Sequence, residues 1–352
     1  MIQRLLGDAR VLGVGTAFPD HVLDRSGAEQ ALTRLFPDHS ADLVRSMVGR
    51  SGVDRRALVD APGDYGAGSD FSSRNRRYRE VAAGLAARAC EQALERAGVD
   101  PAAVDAILDI SCTGVVLPAL DAELLPMLGM RRDVQRIPIT EAGCAGGALA
   151  LSVAGRLART GMTVLVVAVE LCSLTLCPTD RSRTNLVASV IFGDGAAAAV
   201  VGPEGRGPRI LASRSLLLED TRQVMGFDVG HHGLRIILQP ELPRVVGSAL
   251  PEALREFLAA EGVDEETIGV HLVHPGGKRI LDAYEEAFEL GPLDLEPSRG
   301  VLADHGNLSS ASILAVLGRA LWEGPQEGTR GLLVAIGPGL SFEMSLLEWD
   351  AA

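Results

Sequence analysis

The 352 residues hold only five cysteines, Cys90, Cys112, Cys144, Cys172 and Cys177, an odd number scattered along a long chain. Such spacing does not make a disulfide framework, and no CxxC pair is present to begin a structural zinc site, so no metal is expected. Aromatic residues supply 4% of the chain, too few for an aromatic-rich binding surface. Positive charge is also short, with 33 Lys and Arg against 46 Asp and Glu, for a formal net charge of −13. That disfavours nucleic acid or an anionic membrane as a bulk partner, and any anionic ligand then needs a local basic patch. No apolar run is long enough to span a bilayer, because Glu170 and Asp194 interrupt the two best stretches. The first twenty residues carry Arg4, Asp8 and Arg10 without a long apolar stretch before a small-residue cleavage site, which argues against a signal peptide. A cytoplasmic globular protein is the resulting expectation.

What is plentiful is Ala, Val, Leu and Gly, with 40 Gly and 47% hydrophobic residues, a composition suited to close-packed helices on sheets. Residues 10–18 read as a buried strand ending at Pro19, and 106–111, 136–140, 163–169 and 195–201 as further strands. Residues 74–97 place Val81, Leu85, Ala89 and Leu94 on one helical stripe, with Gly98 as a stop. A small-residue helix follows Cys144 to about Ala158. The second half repeats the alternation, with helices over 252–260, 278–290 and 309–322 and strands over 270–273 and 331–336. Strands alternating with helices imply α/β layers around a mostly parallel sheet. Each half has a strand leading into a chemically loaded turn and then a helix. This reads as an internal duplication with a boundary near the Gly/Pro-rich residues 202–208, dividing 1–205 from 206–352.

Gly13-Val14-Gly15 follows a strand but fails the dinucleotide pattern, since Phe18 stands where the third Gly belongs and Pro19 follows. No Walker-type loop occurs. Cys144 sits after a strand, behind Gly143 and ahead of Ala145-Gly146-Gly147. A thiol at a helix N-terminus feels the positive end of the dipole, which favours thiolate. The competing reading is a small inert core residue. His271 and His274 make an HxxH, but residues three apart fall on opposite strand faces, so they form no metal pair. His271 reads as structural, whereas His274 lies at a strand end before Pro275-Gly276-Gly277, where a turn exposes its ring. Asn307 precedes a helix in His305-Gly306-Asn307-Leu308-Ser309-Ser310. Ser309 or Ser310 serves as a helix cap, while Asn307 can donate to an oxyanion; His305 reads as structural. His231-His232-Gly233 reads as a turn, Cys90 as core, and Cys112, Cys172 and Cys177 as pocket walls near strand ends.

Taken together these motifs resemble the type III polyketide synthases, the chalcone-synthase-like branch of the thiolase superfamily, nearly end to end. The landmarks are Ser73-Arg74-Asn75, Ser111-Cys112-Thr113-Gly114, Gly143-Cys144-Ala145-Gly146-Gly147 and Phe192-Gly193-Asp194-Gly195. They continue through His274-Pro275-Gly276-Gly277, Gly306-Asn307-Leu308-Ser309-Ser310 and Gly337-Pro338-Gly339-Leu340-Ser341. The resemblance implies an α/β, five-layered αβαβα fold of two similar halves, working as a homodimer on coenzyme A thioesters without further cofactor. It implies that Cys144 carries the acyl chain, that His274 keeps Cys144 as thiolate, and that His274 with Asn307 stabilises the enolate of decarboxylated malonyl-CoA. Phe192 matches a gatekeeper between coenzyme A tunnel and cavity. Cys112, Thr113, Leu117, Cys172, Thr175, Phe227, Ile236, Ser309 and Pro338 match the substrate pocket. Arg50, Gly276, Gly277 and Arg279 match the coenzyme A site. Two further basic positions of the family fall near Leu43 and Ser46, so Arg45, Arg55 or Arg56 would have to substitute.

Cys112 and Cys172 stand in place of hydroxyl residues, Phe227 in place of a Gly, and Ile236 in place of a Phe. Losing that last ring favours aliphatic starters, and the segment 171–176 looks most like bacterial members that extend fatty acyl-CoA into alkylpyrones or alkylresorcinols. The alternatives are a naphthalene-forming synthase using malonyl-CoA alone and a ketoacyl-carrier-protein synthase. A non-catalytic descendant that only binds acyl chains, and more distantly an NAD-dependent oxidoreductase, complete the rivals.

Overall fold

A computed structural model describes residues 7–61, 63–64, 70–230, 233–291 and 293–349. The chain begins with β1 (Arg10–Ala17), β2 (His21–Asp24), α1 (Arg25–Leu35), α2 (Ala41–Arg50), β3 (Arg55–Leu58) and α3 (Phe71–Ala97). It continues with β4 (Ala106–Ile110), α4 (Asp121–Met127), β5 (Gln135–Ile139), α5 (Gly146–Ala158), β6 (Val164–Leu171), α6 (Arg183–Ile191) and β7 (Asp194–Gly202). Next come β8 (Arg209–Leu217), β9 (Met225–Gly230), β10 (Gly233–Leu238), α7 (Leu242–Ala260) and β11 (Ile268–Val273). The last elements are α8 (Lys278–Ala287), α9 (Glu296–His305), α10 (Ala311–Glu323), β12 (Arg330–Gly337) and β13 (Ser341–Glu348).

Strand order is β5-β4-β6-β7-β1 in one half and β8-β13-β12-β11 in the other. Among the described residues a single pair, Arg10 with Arg209, joins β1 to β8. β4 is parallel to β5 and β6, and β11 to β12; the other neighbours are antiparallel. The sheet is therefore mixed rather than mostly parallel. The reason is local for β12 and β13: the short turn at Pro338-Gly339-Leu340 can only return the chain antiparallel.

Alternation along the strands builds the layers. Val164, Val166 and Ala168 of β6 face inward with Ala197 and Ala199 of β7, toward the small-residue faces of α5 and α10. Leu333 and Ala335 of β12 pack on the same two helices from the other side. The opposite faces, Leu165 and Val167 on β6 and Ala196 and Ala198 on β7, carry α3 through Ala82, Leu85, Ala89 and Ala93. Leu332, Val334 and Ile336 of β12 carry α7 and α8. The result is helix, sheet, helix, sheet, helix: the five-layered αβαβα arrangement of the thiolase fold.

Gly13 and Gly15 lie inside β1 against the α3 backbone, which accounts for them without a nucleotide. α7 begins ten residues before the expected 252–260 helix. Leu242, Val246, Leu250, Leu254 and Leu258 repeat every four residues straight through Pro251, a stripe that burial against β12 and β13 sustains despite the proline. β8, β13 and the short elements α1, α2, α4, α6, α9, β2, β3, β9 and β10 lack a clean sequence period, because they are partly exposed or pack on their neighbours from more than one side.

Candidate active site

β5 leads into one tight turn, Gly143–Ala145, that feeds directly into α5 and carries Cys144. Gly143 has φ 52°, and the Pro338 ring lies 2.5 Å from where a Cβ would stand, so only glycine lets Pro338 close over this turn. The Cys144 sulfur lies 3.5 Å from Ser309 Oγ, and the Cys112 sulfur 3.3 Å from the same hydroxyl. Burial outweighs the helix-end effect expected from the sequence. It pushes the Cys144 thiol up to about 11, Ser309 pulls it down, and the charge of Glu170 pushes it up again. The net effect favours the neutral thiol.

His274 follows β11 directly and its N–H donates to Val334 O of β12 at 2.8 Å. Its ring is buried, and neither ring nitrogen has a hydrogen-bond partner among the described residues. Burial lowers its pKa to about 4, so the imidazole is neutral. Burial thus works against charge on either side chain, the thiolate as well as the imidazolium. Asn307 is fixed more firmly. Its Oδ1 accepts from Ser309 N at 2.8 Å and from Ser312 Oγ at 3.3 Å, and a backbone N–H can only face an oxygen. The amide orientation is thus determined, and Nδ2 is left with a long 3.5 Å contact to Gly276 O. A donor held this loosely is available to an oxyanion. Gly276 N in turn donates to His274 O at 2.8 Å, which ties the His and Asn segments together.

The cleft beside Cys144 opens to solvent and, with that open space counted, spans about 740 Å³. Cys112, Thr113, Cys172, Thr175, Phe192, Phe227, Ile236, Ser309 and Pro338 all line it, joined by Met225, Leu238, Leu176, Asn185, Ala188 and Ser189, which the sequence reading did not name. Most hydroxyl and amide donors in the wall are used internally. Thr175 Oγ1 donates to Cys172 O, Ser189 Oγ to Asn185 O, Ser173 Oγ to Asp194, and Asn185 Nδ2 to Cys177 O. What they present to the cavity is therefore mainly apolar. α6 and the β9–β10 ribbon form facing walls.

Leu117 is a correction: it is 96% exposed and does not line the cavity of its own chain. Its backbone, between Cys112 and α4, runs outward rather than into the fold. Cys177 is a second correction, being buried beside Thr179 and away from the cavity. Ser309 and Ser310 do not cap α10. Ser309 sits at φ 50° with its hydroxyl between two sulfurs, and Ser310 Oγ donates to Glu170. His271 is hydrogen-bonded to Tyr284 OH at 3.0 Å, and His305 stacks on Phe18 with centroids 3.9 Å apart; both are structural, as read. His231 and His232 lie outside the described residues.

Arg50 ends α2, exposed, and two residues later Gly52 packs on Lys278 beside Arg279 at the start of α8. Gly277, at φ 149°, lies against Ile191 at the end of α6. The proposed substitutes do not serve. Arg45 is paired with Glu29 and Asp42, and Arg55 with Asp304. Arg56 is buried and donates to the Val190 and Ser189 carbonyls, satisfying the end of α6. Lys278 is itself paired with Asp282 at 2.7 Å, so in this region Arg50 and Arg279 are, among the described residues, the basic side chains outside the ion pairs.

Sequence reasoning treated Glu170 only as an interruption in an apolar run. It is fully buried and accepts from Cys112 N, Thr113 Oγ1 at 2.7 Å and Ser310 Oγ, with burial raising its pKa. A lone carboxylate within a strand whose eight residues are all buried was the available signal. Asp194 likewise holds Ser173 N, Ser173 Oγ and Val59 N. No group of three or more potential metal-ligating residues occurs among the described residues, and no described helix is long and apolar enough to cross a membrane.

Comparison with known proteins gives this site its context. The chain is 39% identical to the 1,3,6,8-tetrahydroxynaphthalene synthase of Streptomyces peucetius subsp. caesius, over 96% of this chain and 93% of that one. It is 32% identical to the 3,5-dihydroxyphenylacetyl-CoA synthase of Amycolatopsis balhimycina, over 97% and 93%. The crystal structure of 1,3,6,8-tetrahydroxynaphthalene synthase from Streptomyces coelicolor A3(2), a bacterial type III polyketide synthase, superposes with a TM-score of 0.93 at 33% identity, covering 97% of this chain and 100% of that one. Residues 64–205 match the N-terminal domain of the chalcone and stilbene synthases and residues 209–349 their C-terminal domain. With a half-buried thiol at a strand-to-helix turn and nearly the whole length matched, the chain belongs to the chalcone and stilbene synthase family, and is a type III polyketide synthase, an acyltransferase that forms carbon–carbon bonds by decarboxylative condensation.

Proposed function

We propose that this enzyme assembles a small polyhydroxylated aromatic from malonyl-CoA alone; several of its relatives are named for a tetrahydroxynaphthalene product. The observation that carries this reading is the 39% identity, nearly end to end, with a 1,3,6,8-tetrahydroxynaphthalene synthase. That product is a ten-carbon bicycle with oxygens at alternate positions, the pattern of five two-carbon units and no alkyl tail. Cys144 is the nucleophile. Its proton passes to the neutral His274 as sulfur attacks the thioester, and the proton then leaves with the coenzyme A thiol. An incoming malonyl-CoA loses carbon dioxide, and the Asn307 amide with the His274 N–H donates to the enolate oxygen. The enolate carbon attacks the Cys144 thioester, the carbon–sulfur bond breaks, and the Cys144 thiolate leaves and takes up a proton from the medium. Phe192 stands between the coenzyme A channel and the cavity, and Arg50, Gly276, Gly277 and Arg279 hold the nucleotide. Only coenzyme A thioesters are needed, with no other cofactor, in a cytoplasmic homodimer; the exposed Val115 and Leu117 support contact with a second copy.

Extension of an aliphatic acyl-CoA into an alkylpyrone or alkylresorcinol is the second reading. Its support is the apolar wall of Met225, Phe227, Ile236 and Leu238, with neighbouring donors consumed internally. Product mass spectrometry with malonyl-CoA alone, then with a ladder of acyl-CoA starters, separates the two. A ten-carbon product without starter is expected. An absolute requirement for acyl-CoA overturns the first reading in favour of the second.

A further inference from the structure

We infer that Asn185, on α6, is a specificity-determining residue whose Oδ1 accepts an enol O–H from the growing chain and so sets how that chain lies in the cleft. Asn185 is the third residue of α6, is 4% exposed, and lines the cleft beside Cys144. Its backbone N donates to Ser182 Oγ at 3.2 Å, and its backbone O accepts from Ser189 Oγ at 2.7 Å. The amide hydrogens are placed as well: Nδ2 donates to Cys177 O at 2.9 Å and to Asp180 O at 2.8 Å. Two carbonyls can face only the nitrogen, so the orientation of the amide is settled. Oδ1 is what remains. It accepts from no group among the described residues, and it is not one of the sealed, unpartnered atoms of the interior. Holding the loop before α6 explains the nitrogen and leaves the oxygen without a task.

The rest of the wall cannot serve that oxygen. The facing ribbon offers Met225, Phe227, Ile236 and Leu238, whose side chains carry no donor, while Ser189 and Thr175 spend theirs on backbone carbonyls. A bound chain that displaces water from such an acceptor must offer a donor in return or lose the hydrogen bond. The keto oxygens of a poly-β-keto chain are acceptors themselves and cannot pair with Oδ1. The enol tautomer can, because moving a proton from the carbon between two carbonyls to one of their oxygens makes an O–H donor. Asn185 therefore takes the enol rather than the keto form at one position of the chain. That fixes which oxygen turns toward α6, and with it which carbons of the tethered chain meet when it closes into a ring. The inference rests on the chain being a polyketide, as the family establishes, and not on which starter is loaded.

The test is the product distribution of full-length variants, read by mass spectrometry against the malonyl-CoA consumed. Asn185→Leu nearly keeps the volume and removes both ends of the amide. Malonyl-CoA consumption should change little, while the ratio of the wild type's main product to shorter or differently closed products falls about three- to tenfold, the worth of one neutral hydrogen bond. Asn185→Asp is the rescue. Facing two carbonyls, its carboxyl is favoured in the protonated form, donates to one of them and keeps an oxygen toward the cleft, so the ratio should return close to that of wild type. Asn185→Ser, which is smaller and can still donate to one carbonyl, serves if Asn185→Leu does not fold. An unchanged ratio in folded Asn185→Leu or Asn185→Ser overturns the inference. So does an equal fall in Asn185→Asp and Asn185→Leu, which would assign the residue to the loop alone. A wild type that makes nothing without an acyl-CoA starter counts against the malonyl-only reading instead, and the same ratio is then measured with that starter.

Discussion

Phe192 and Asn307 are tied backbone to backbone. Asn307 N donates to Ile191 O at 2.9 Å, and Gly193 N donates to Asn307 O at 3.0 Å. The ring lining the cavity and the amide proposed to meet the enolate therefore share one rigid unit, built from the end of α6 and the link between α9 and α10. A Cβ on Gly193 would meet His305 O at 2.2 Å, so the close approach that permits this bridge requires glycine.

Gly193→Ala should accordingly cost more activity than Phe192→Ala. Separating the two segments strands buried backbone groups at about 1–3 kcal/mol each and shifts Asn307. Phe192→Ala leaves the bridge intact and should relax starter selection. Parallel assays of malonyl-CoA turnover and starter range check this; equal losses in both variants count against it.

Asn307→Ala should slow malonyl-CoA decarboxylation by about 10²–10³-fold, the usual consequence of removing one oxyanion donor. Acylation of Cys144 should survive, since that step uses the thiol and His274. Cys144→Ala should instead abolish product while the protein remains folded. Carbon dioxide release and the mass of the Cys144 peptide resolve the steps.

Arg50→Glu and Arg279→Glu should raise KM for the coenzyme A thioester roughly tenfold with kcat little changed, because a phosphate contact remote from the reacting carbon contributes equally to ground and transition states. The effect should shrink as salt is raised. A fall in kcat at unchanged KM would place these residues elsewhere.

His305 stacks on Phe18, and burial holds its pKa at about 4, below the ordinary value of 6.5. The unfolded chain therefore binds this proton more readily, and the His305 contribution is present above pH 6.5 and lost as pH falls toward 4. His305→Phe keeps the aromatic stack and removes the titration. Its melting temperature should fall less than wild type between pH 6.5 and 4; identical slopes would refute the assignment.

The candidate site stood out in the sequence where backbone and chemistry coincide. Cys144, His274 and Asn307 each sit where a strand or loop meets a turn, and turn residues advertise themselves. Glu170 was missed because its strand neighbours made the segment read as plain core, and its partners come from distant segments. Leu117 was misplaced because a sequence carries no sign of which way a loop projects. The thiolate expectation weighed a helix end that composition reveals, but not the burial that only packing reveals. The second half suffered similarly: β8 and β13 pair antiparallel although they lie far apart in the chain and no local period announces the pairing.

The lone Arg10–Arg209 pairing has a practical meaning. Continuity of strands does little to keep the two halves attached; α10 packed on β1, β7 and α5 does more. A proteolytic nick in the exposed stretch around Glu204 and Gly205 should thus leave an active, non-covalent complex. The separated fragments should each aggregate, because each carries off one greasy helix with nothing to cover it, and mixing them during refolding should restore turnover.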